Sequence, residues 1–158
     1  MSNEQKGAGL PDYDRALAAA IKQLSYRMLS ERALHDKLEA QGYHEEEIGY
    51  ALAWLTEHRY LSDEQFAQAA AASYTRRGYG TLRIRQELRK KGIDDQTASA
   101  VLETCTPDLD AMQRLLDKRL HGDLSDRQAV AKAVAALQRR GYRWEDIRRA
   151  LEAYGTDI

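Results

Sequence analysis

Apolar side chains recur along the chain at helical spacing, in short stripes separated by polar segments and glycines. The first three stripes consist of Leu17, Ile21 and Leu24, of Leu34 and Leu38, and of Ile48, Leu52 and Leu55. Because residues three or four positions apart lie on one face of an α-helix, each stripe predicts one amphipathic helix. Few stretches alternate as strands do, and helix-favouring residues dominate. The pattern therefore predicts an all-α protein.

The stripes repeat with a period of about fifty residues, in register on Gly42, Gly92 and Gly141. A leucine lies four residues before each glycine, and another lies ten residues after it. Self-similarity of this kind is typical of small helical units that bury their apolar faces by stacking. We predict an elongated, curved array of three tandem three-helix repeats of helix-turn-helix type, with about nine helices. The predicted segments are a flexible N-terminus over 1–12 and repeats over 13–60, 61–105 and 106–158.

Several residues indicate where the helices begin and end. Each repeat glycine follows the second helix of its unit, where a left-handed C-terminal cap is expected. Helix starts are predicted at His44, at Ser62 with Gln65, at Thr106 with Pro107, and at Ser125 with Gln128. Gly78 and Gly80 are expected to end the first helix of the middle repeat and turn the chain into the second. Tyr79 between them either packs beneath Leu82 or stays exposed for a partner.

The residues that carry chemistry are too sparse for an active site or a metal site. Cys105 is the only cysteine, and it matches Leu55 and Tyr154 of the other repeats, which predicts a small core residue. The four histidines have no metal-ligand spacing, and no phosphate loop, dinucleotide fingerprint or nucleophile motif occurs. We therefore expect no catalytic residue, no metal, no cofactor and no enzyme. No stretch has the roughly 18 apolar residues of a bilayer span, so a cytoplasmic protein without membrane contact is expected.

Positive charge is concentrated in one part of the chain. Residues 76–91 contain seven Lys/Arg and one acid, Glu87, whereas the whole chain has a net charge of −1. The remainder is therefore acidic. On a helical wheel the basic side chains that follow Thr81 lie on one outward face, opposite the apolar stripe. The candidate partner-binding residues are Arg76, Arg77, Tyr79, Arg83, Arg85, Arg89, Lys90 and Lys91.

The other two repeats test whether the fold itself requires this charge. At the positions of Arg83, Arg85, Arg89, Lys90 and Lys91, the first repeat has Ala33, His35, Glu39, Ala40 and Gln41, and the third has Lys132, Val134, Gln138, Arg139 and Arg140. One scaffold thus accepts neutral, apolar or basic residues there. We interpret the basic face as an anion-binding surface, and its excess of arginine over lysine suits bidentate contacts with phosphate or carboxylate.

A second, weaker basic patch lies in the third repeat. It consists of Arg139, Arg140, Arg143, Arg148 and Arg149. Glu145 and Asp146 dilute its charge, and Trp144 within it is a candidate core residue. The patch is equally consistent with a functional surface and with an ordinary solvated helix face.

The spacing of one set of residues between Tyr60 and Ile93 is more characteristic of a single protein family than the rest of the chain is. It comprises Tyr60-Leu61, Asp63-Glu64, Phe66, Gly78-Tyr79-Gly80, Arg83-Ile84-Arg85, Glu87-Leu88 and Lys91-Gly92-Ile93. With the three-helix units around it, this set resembles the RecX family of regulatory proteins, which modulate the bacterial recombinase RecA. Thr81 departs from the proline that is common there, and Ser62 from the common aspartate, but both residues suit a helix start.

The resemblance implies a non-enzymatic regulator that binds the RecA–DNA filament along its groove and inhibits strand exchange and the coupled ATPase. The implied processes are recombination, DNA repair and the SOS response. Expected partners are the RecA filament and, weakly and electrostatically, single- and double-stranded DNA, and the protein is expected to be a monomer. Two alternatives stay open. One is a DNA-binding protein of helix-turn-helix type, which the net charge of −1 disfavours, and the other is a protein-only helical scaffold.

Overall fold

The computed structural model describes residues 10–156 and arranges them in nine α-helices, which confirms the predicted all-α array of three-helix repeats. The helices are α1 (Tyr13–Tyr26), α2 (Glu31–Ala40) and α3 (Glu45–Glu57) in the first repeat, α4 (Asp63–Arg76), α5 (Thr81–Lys90) and α6 (Asp95–Glu103) in the second, and α7 (Leu109–Leu120), α8 (Arg127–Arg139) and α9 (Trp144–Thr156) in the third. Most of the N-terminal segment predicted to be flexible, residues 1–9, lies outside the described range. Within that range, no helix has the length and apolar character that crossing a bilayer requires.

Each repeat has a hydrophobic core of its own. The fully buried core side chains include Leu34, Leu38, Ile48 and Leu55 in the first repeat, Ile84 and Leu88 in the second, and Leu116, Leu137 and Ile147 in the third. All of them are at most 1% exposed. The helices that pack extensively against one another belong to the same repeat. Burial of one apolar stripe per helix therefore holds each unit together before any contact between units is made.

Two predictions about individual side chains are wrong. In α1 Leu17 and Leu24 pack against the core as predicted, but Ile21 is 46% exposed, and Ala16 and Ala20 are the fully buried residues. Trp144 is 58% exposed at the start of α9, because Tyr142 and Ile147 fill the core of the third repeat instead. The prediction for Cys105 is confirmed, since its side chain is partly buried against the core of the second repeat.

Most of the predicted helix boundaries are confirmed. The φ angles of Gly42, Gly92 and Gly141 are 93°, 83° and 90°, which are left-handed values that favour glycine. Ser62 caps α4 by accepting a 3.2 Å hydrogen bond from the backbone amide three residues later. His44 is the N-cap of α3. The local signals thus define the ends of these helices correctly.

Two predicted helix starts are wrong, each by one or two residues. Asp126, not Ser125, caps α8, and Asp108 caps α7 in place of the predicted Thr106 and Pro107. In both helices an aspartate carboxylate accepts hydrogen bonds from amides of the first turn. A carboxylate next to the positive end of the helix dipole binds these amides more strongly than a neutral hydroxyl does.

The first and second repeats meet at a narrow joint near the start of α2. The Ser30 hydroxyl donates a 2.7 Å hydrogen bond to the backbone carbonyl of Lys91. Gly92 lies so close to Arg32 that a Cβ at Gly92 would be 2.6 Å from the Arg32 Cβ. The N-terminus of one middle helix thus contacts the turn that follows the middle helix of the next repeat.

The second and third repeats meet in the same way, at the start of α5. The Gly80 amide donates a 2.9 Å hydrogen bond to the Arg140 carbonyl, and the Leu82 amide donates a 3.0 Å hydrogen bond to the Gly141 carbonyl. Here too the joint is narrow. Its position matters because it brings the first turn of the basic helix α5 directly against the third repeat.

Candidate anion-binding cleft

The basic side chains of α5 do not share the single outward face that the helical wheel predicted. Arg83 points to the third repeat and lines a cleft there. Arg85 lies next to α6 and donates a 3.0 Å hydrogen bond to the Ser99 hydroxyl. Arg89 forms a 3.1 Å ion pair with Asp95. The charges of one helix are therefore divided between two sides of the molecule.

Glu87 compensates part of the positive charge of α5. Its Oε1 accepts hydrogen bonds from Arg83 Nε at 3.1 Å and from Lys90 Nζ at 3.3 Å. Burial raises the pKa of the Glu87 carboxyl, but the hydrogen bonds from these two basic groups outweigh burial and keep the pKa below its ordinary value. Glu87 is thus ionised at neutral pH and positions both partners. Lys91 is exposed, and its backbone carbonyl contacts the first repeat.

A cleft of about 710 Å³ lies between the second and third repeats, beside the joint at Gly80. Among the described residues that line it, eight are basic and none is acidic: Arg76, Arg77, Arg83, Arg114, Lys118, Arg119, Arg139 and Arg140. Within residues 10–156, Arg83 is the only one of the eight that forms an ion pair. The cleft therefore concentrates positive charge that the described part of the protein leaves largely uncompensated.

The cleft combines two basic regions that lie far apart along the sequence, the basic segment of residues 76–91 and the second basic patch. Arg76, Arg77 and Arg83 come from the middle repeat, and Arg139 and Arg140 from the second basic patch. Only the packing of the third repeat against the start of α5 brings these groups together.

Three basic residues of the cleft were not among the candidate binding residues predicted from the sequence. Arg114, Lys118 and Arg119 all belong to α7 and line the same wall. The four-residue spacing of Arg114 and Lys118 is a signal for a shared helix face. Asp110 and Asp117, which are interspersed with them in the sequence, obscured that signal.

Tyr79 lies at the centre of the basic groups. Its ring centroid is 5.6 Å from the Arg77 guanidinium carbon, 5.4 Å from that of Arg83 and 5.3 Å from that of Arg140. The ring also packs edge-on against Tyr74, with 5.9 Å between centroids. Tyr79 is thus partly buried, and it holds guanidinium groups of both repeats through cation–π contacts.

The floor of the cleft contains a buried hydroxyl. Tyr142 is only 2% exposed, and its hydroxyl has no hydrogen-bond partner within residues 10–156. The oxygen lies beside Gly78, 3.9 Å from the position that a Cβ of Gly78 would occupy. Burial and the nearby Asp108 carboxylate raise the pKa of Tyr142 to about 12. The hydroxyl therefore keeps its proton at physiological pH and remains a hydrogen-bond donor.

The rest of the second basic patch faces elsewhere. Arg143 donates a 3.1 Å hydrogen bond from Nε to Thr81 Oγ1, across the joint. Arg148 lies 3.8 Å from Glu152 in an exposed ion pair. Arg149 lines a second cleft of about 510 Å³, together with Arg85 and acidic residues. Arg148 and Arg149 thus have carboxylate neighbours, whereas Arg83 is the only described basic residue of the larger cleft that has an ion-pair partner.

Another cluster of titratable groups lies far from the cleft, in the first repeat. His35, Glu39 and Glu45 have potential ligand atoms within 4.8 Å of one another. His35 Nε2 is 2.9 Å from Glu45 Oε1 and also close to Asp36 through Nδ1. Hydrogen bonds with Glu45 and then Asp36 raise the pKa of His35. We interpret the cluster as an ion pair between α2 and the start of α3.

Comparison with known protein families matches this architecture repeat by repeat. Residues 16–55 match the first three-helix domain of RecX, residues 62–102 the second and residues 107–151 the third. The chain belongs to the RecX family. Each RecX domain coincides with one of the three hydrophobic cores, so the family relation and the packing divide the chain in the same way.

Individual RecX proteins cover most of the chain. The regulatory protein RecX of Salmonella typhi is 36% identical over 149 residues, which are 87% of this chain and 90% of that protein. RecX of Salmonella typhimurium is 35% identical over the same length. The crystal structure of RecX from Lactobacillus salivarius superposes with a TM-score of 0.82 at 23% identity and covers 90% of this chain and 96% of that one. The sequences place the chain in a family of regulatory proteins, and the crystal structure supports the fold.

Proposed function

We propose that this RecX-family protein binds the RecA–DNA filament and inhibits the recombinase and its coupled ATPase, without catalytic activity of its own. The observation that carries the proposal is the position of the positive charge. A chain of net charge −1 concentrates basic side chains on α5 and in the adjoining cleft. A nucleoprotein filament presents phosphates and acidic protein surfaces, both of which such a region attracts.

The middle repeat supplies the anchor in this proposal. Arg83, Arg85, Arg89, Lys90 and Lys91 of the α5 region contact the filament, while the first and third repeats extend to neighbouring RecA subunits. Support comes from the narrow joints, because repeats connected end to end offer a long surface rather than a compact one. A regulator that bridges neighbouring subunits acts at amounts well below one per subunit.

Direct contact with single- or double-stranded DNA contributes weakly and electrostatically. If about five phosphates are neutralised, the logarithm of the binding constant should fall with the logarithm of salt concentration with a slope near −4 to −5. In this role the protein acts in the cytoplasm as a monomer, so that one chain presents one basic region to the filament.

The test is the single-stranded-DNA-dependent ATPase of the cognate RecA, measured while this protein is titrated in. Inhibition at well below one molecule per RecA subunit is expected. Reversing Arg85 and Arg89 to glutamate should abolish the inhibition, because both guanidinium groups belong to the proposed anchor. The matched control is Lys22→Glu with Arg27→Glu, the same change of charge on exposed residues of the first repeat.

Three results would contradict the proposal. Retained inhibition by the folded Arg85→Glu/Arg89→Glu protein would exclude the anchor, and equal loss in the control would indicate a general charge effect. Circular dichroism must show that both variants fold, because Arg89→Glu places a second carboxylate next to Asp95 and replaces an attraction by a repulsion. No effect on the ATPase, combined with tight and salt-sensitive DNA binding, would favour a DNA-binding protein instead.

A further inference from the structure

The cleft between the second and third repeats is built by both of them. The end of α4 contributes Arg77 and the first turn of α5 contributes Arg83, while α7 contributes Arg114 and the end of α8 contributes Arg140. Its volume of about 710 Å³ is in the range of small-ligand sites. The cleft is therefore large enough, and sufficiently concave, to surround part of a ligand rather than merely attract it.

The basic groups are held close together in a way that favours an anion between them. Arg77, Arg83 and Arg140 each lie within 5.6 Å of the Tyr79 ring centroid. Cation–π contacts orient the three guanidinium groups, yet like charges gathered around one ring repel each other. An anion placed among them removes this repulsion and accepts hydrogen bonds from planar, already oriented donors.

The Tyr142 hydroxyl is a second and independent indication of a ligand. A buried hydroxyl ordinarily has a hydrogen-bond partner, whereas this one has none among the described residues. It lies at the cleft floor beside Gly78, where the backbone has no side chain to cover it. A ligand oxygen that reaches the floor past Gly78 would accept the hydrogen bond that the protein does not satisfy.

We infer that the cleft binds a ligand with several linked phosphate groups, which contact arginines of both repeats and so connect the second repeat to the third. Phosphate oxygens match the paired N–H groups of arginine in geometry and in charge. A nucleic-acid backbone and a free polyphosphate share this chemistry. The inference concerns the cleft alone and does not depend on RecA being the partner.

Bridging by phosphate should also stabilise the joint. The two backbone hydrogen bonds at Gly80 and Leu82 are the principal polar links across it, with the Arg143–Thr81 hydrogen bond beside them. A phosphate chain held by Arg77 on one side and Arg114 on the other adds links between the same two repeats. Ligand binding is therefore expected to raise the temperature at which the third repeat unfolds.

The test uses the full-length protein with tripolyphosphate and, separately, with an oligothymidylate of about fifteen nucleotides, at constant ionic strength. Isothermal titration calorimetry measures binding of each probe. The cleft variant is Arg77→Gln with Arg140→Gln, and the matched control is Lys22→Gln with Arg27→Gln, which removes the same charge from exposed residues of the first repeat. If the cleft variant does not fold, Arg114→Gln on the exposed side of α7 replaces it.

The cleft variant should lose roughly tenfold or more in affinity, while the control should change by less than about twofold. Binding of tripolyphosphate that is lost only in the cleft variant supports the inference for a compact ligand. Binding of the oligonucleotide alone, again lost only in the cleft variant, supports it for a strand. Absence of binding by both probes, or equal loss in both variants, overturns it.

Tyr142→Phe tests the part assigned to the hydroxyl. Because the hydroxyl has no partner among the described residues, its removal should leave the free energy of unfolding unchanged or increase it. Affinity for whichever probe binds should nevertheless fall several-fold, because the phosphate loses a donor. Unchanged affinity would overturn the contact between the hydroxyl and the ligand.

Discussion

At the scale of single residues, glycine has a second role beyond helix capping. Gly141 has a φ angle of 90° and ends α8 as a left-handed cap, which the sequence predicts. The structure adds that a Cβ on Gly141 would lie 2.4 Å from both the backbone nitrogen and the Cβ of Arg83. Gly80 is equally close to the backbone of the third repeat, at Gly141 and Tyr142, although its φ angle of −89° is open to any residue. These two glycines allow the repeats to approach each other.

Gly80→Ala should therefore destabilise the joint. The new Cβ would lie 2.4 Å from the Gly141 carbonyl oxygen. Because this oxygen belongs to the backbone, relieving the clash requires a shift of the backbone, which costs free energy. We expect a decrease of about 1–3 kcal/mol in the free energy of unfolding, as measured by urea denaturation. Since the φ angle of Gly80 is ordinary, the decrease would report the contact between repeats and not backbone strain.

Gly49→Ala provides the control within the same chain. Gly49 lies inside α3, and a Cβ there would meet no heavy atom within 4 Å. Alanine loses less backbone entropy than glycine in a helix, so stability should rise by about 0.5–1 kcal/mol. If Gly80→Ala behaved like Gly49→Ala, the close approach at the joint would be contradicted.

At the scale of helices, each element is defined by its apolar stripe and its caps, while polar contacts link one helix to the next. The pair formed by His35 and Glu45 links α2 to the start of α3 at 2.9 Å. Hydrogen bonding to His35 lowers the pKa of Glu45, and hydrogen bonds with Glu45 and Asp36 raise the pKa of His35. The contribution of this pair to stability must therefore depend on pH.

The sign of the pH dependence follows from these two directions. The raised pKa of His35 means that its contribution is fully present below its ordinary value of 6.5 and is lost as the pH rises through the folded-state value. The lowered pKa of Glu45 means that its contribution is present above 4.5 and is lost as the pH falls through its folded-state value. The pair is thus most effective between pH 4.5 and 6.5.

His35→Gln tests this link between α2 and α3. The stability difference between the natural protein and the variant should be larger at about pH 5.5 than at about pH 8.5. Urea denaturation at both pH values measures the two differences, and an NMR titration of the His35 ring gives its folded-state pKa directly. An equal difference at both pH values would show that the pair contributes only through packing.

At the scale of the whole molecule, residues 10–156 form three separate cores connected by two narrow joints. The stability of such an array is approximately the sum of the stabilities of its repeats and of the contacts between neighbours. Damage to one core should therefore remain largely within its own repeat. The cleft, which both the second and the third repeat line, depends on the two being folded together.

Leu116→Ala is expected to show this independence. Leu116 is 0% exposed in the core of the third repeat, so the truncation should cost about 2–5 kcal/mol. Hydrogen exchange should become faster in α7–α9 and change little in α1–α3. Leu34→Ala, which is equally buried in the first repeat, should give the opposite distribution. Faster exchange throughout all nine helices in either variant would instead indicate a single cooperative unit.

The candidate site was only partly predictable. The density of basic residues around α5 was visible in the sequence, because three equivalent helices could be compared. The contribution of α7 was not visible, since Arg114 and Lys118 are mixed with acids and lie far from α5 along the chain. Likewise, nothing in the sequence shows that Arg77 and Arg140 share the ring of Tyr79, because that depends on how the third repeat docks.

The sequence by itself determined the helices, their number, the repeat period and the family, because apolar spacing and glycine caps act over a few residues and recur three times. The errors at Ser125 and Thr106 are of the same local kind, since a neighbouring aspartate competes successfully for the cap. Only the tertiary structure decided which charges meet. Two glycines allow α5 to contact the turn at Gly141, and this contact, made across sixty residues of chain, creates the cleft.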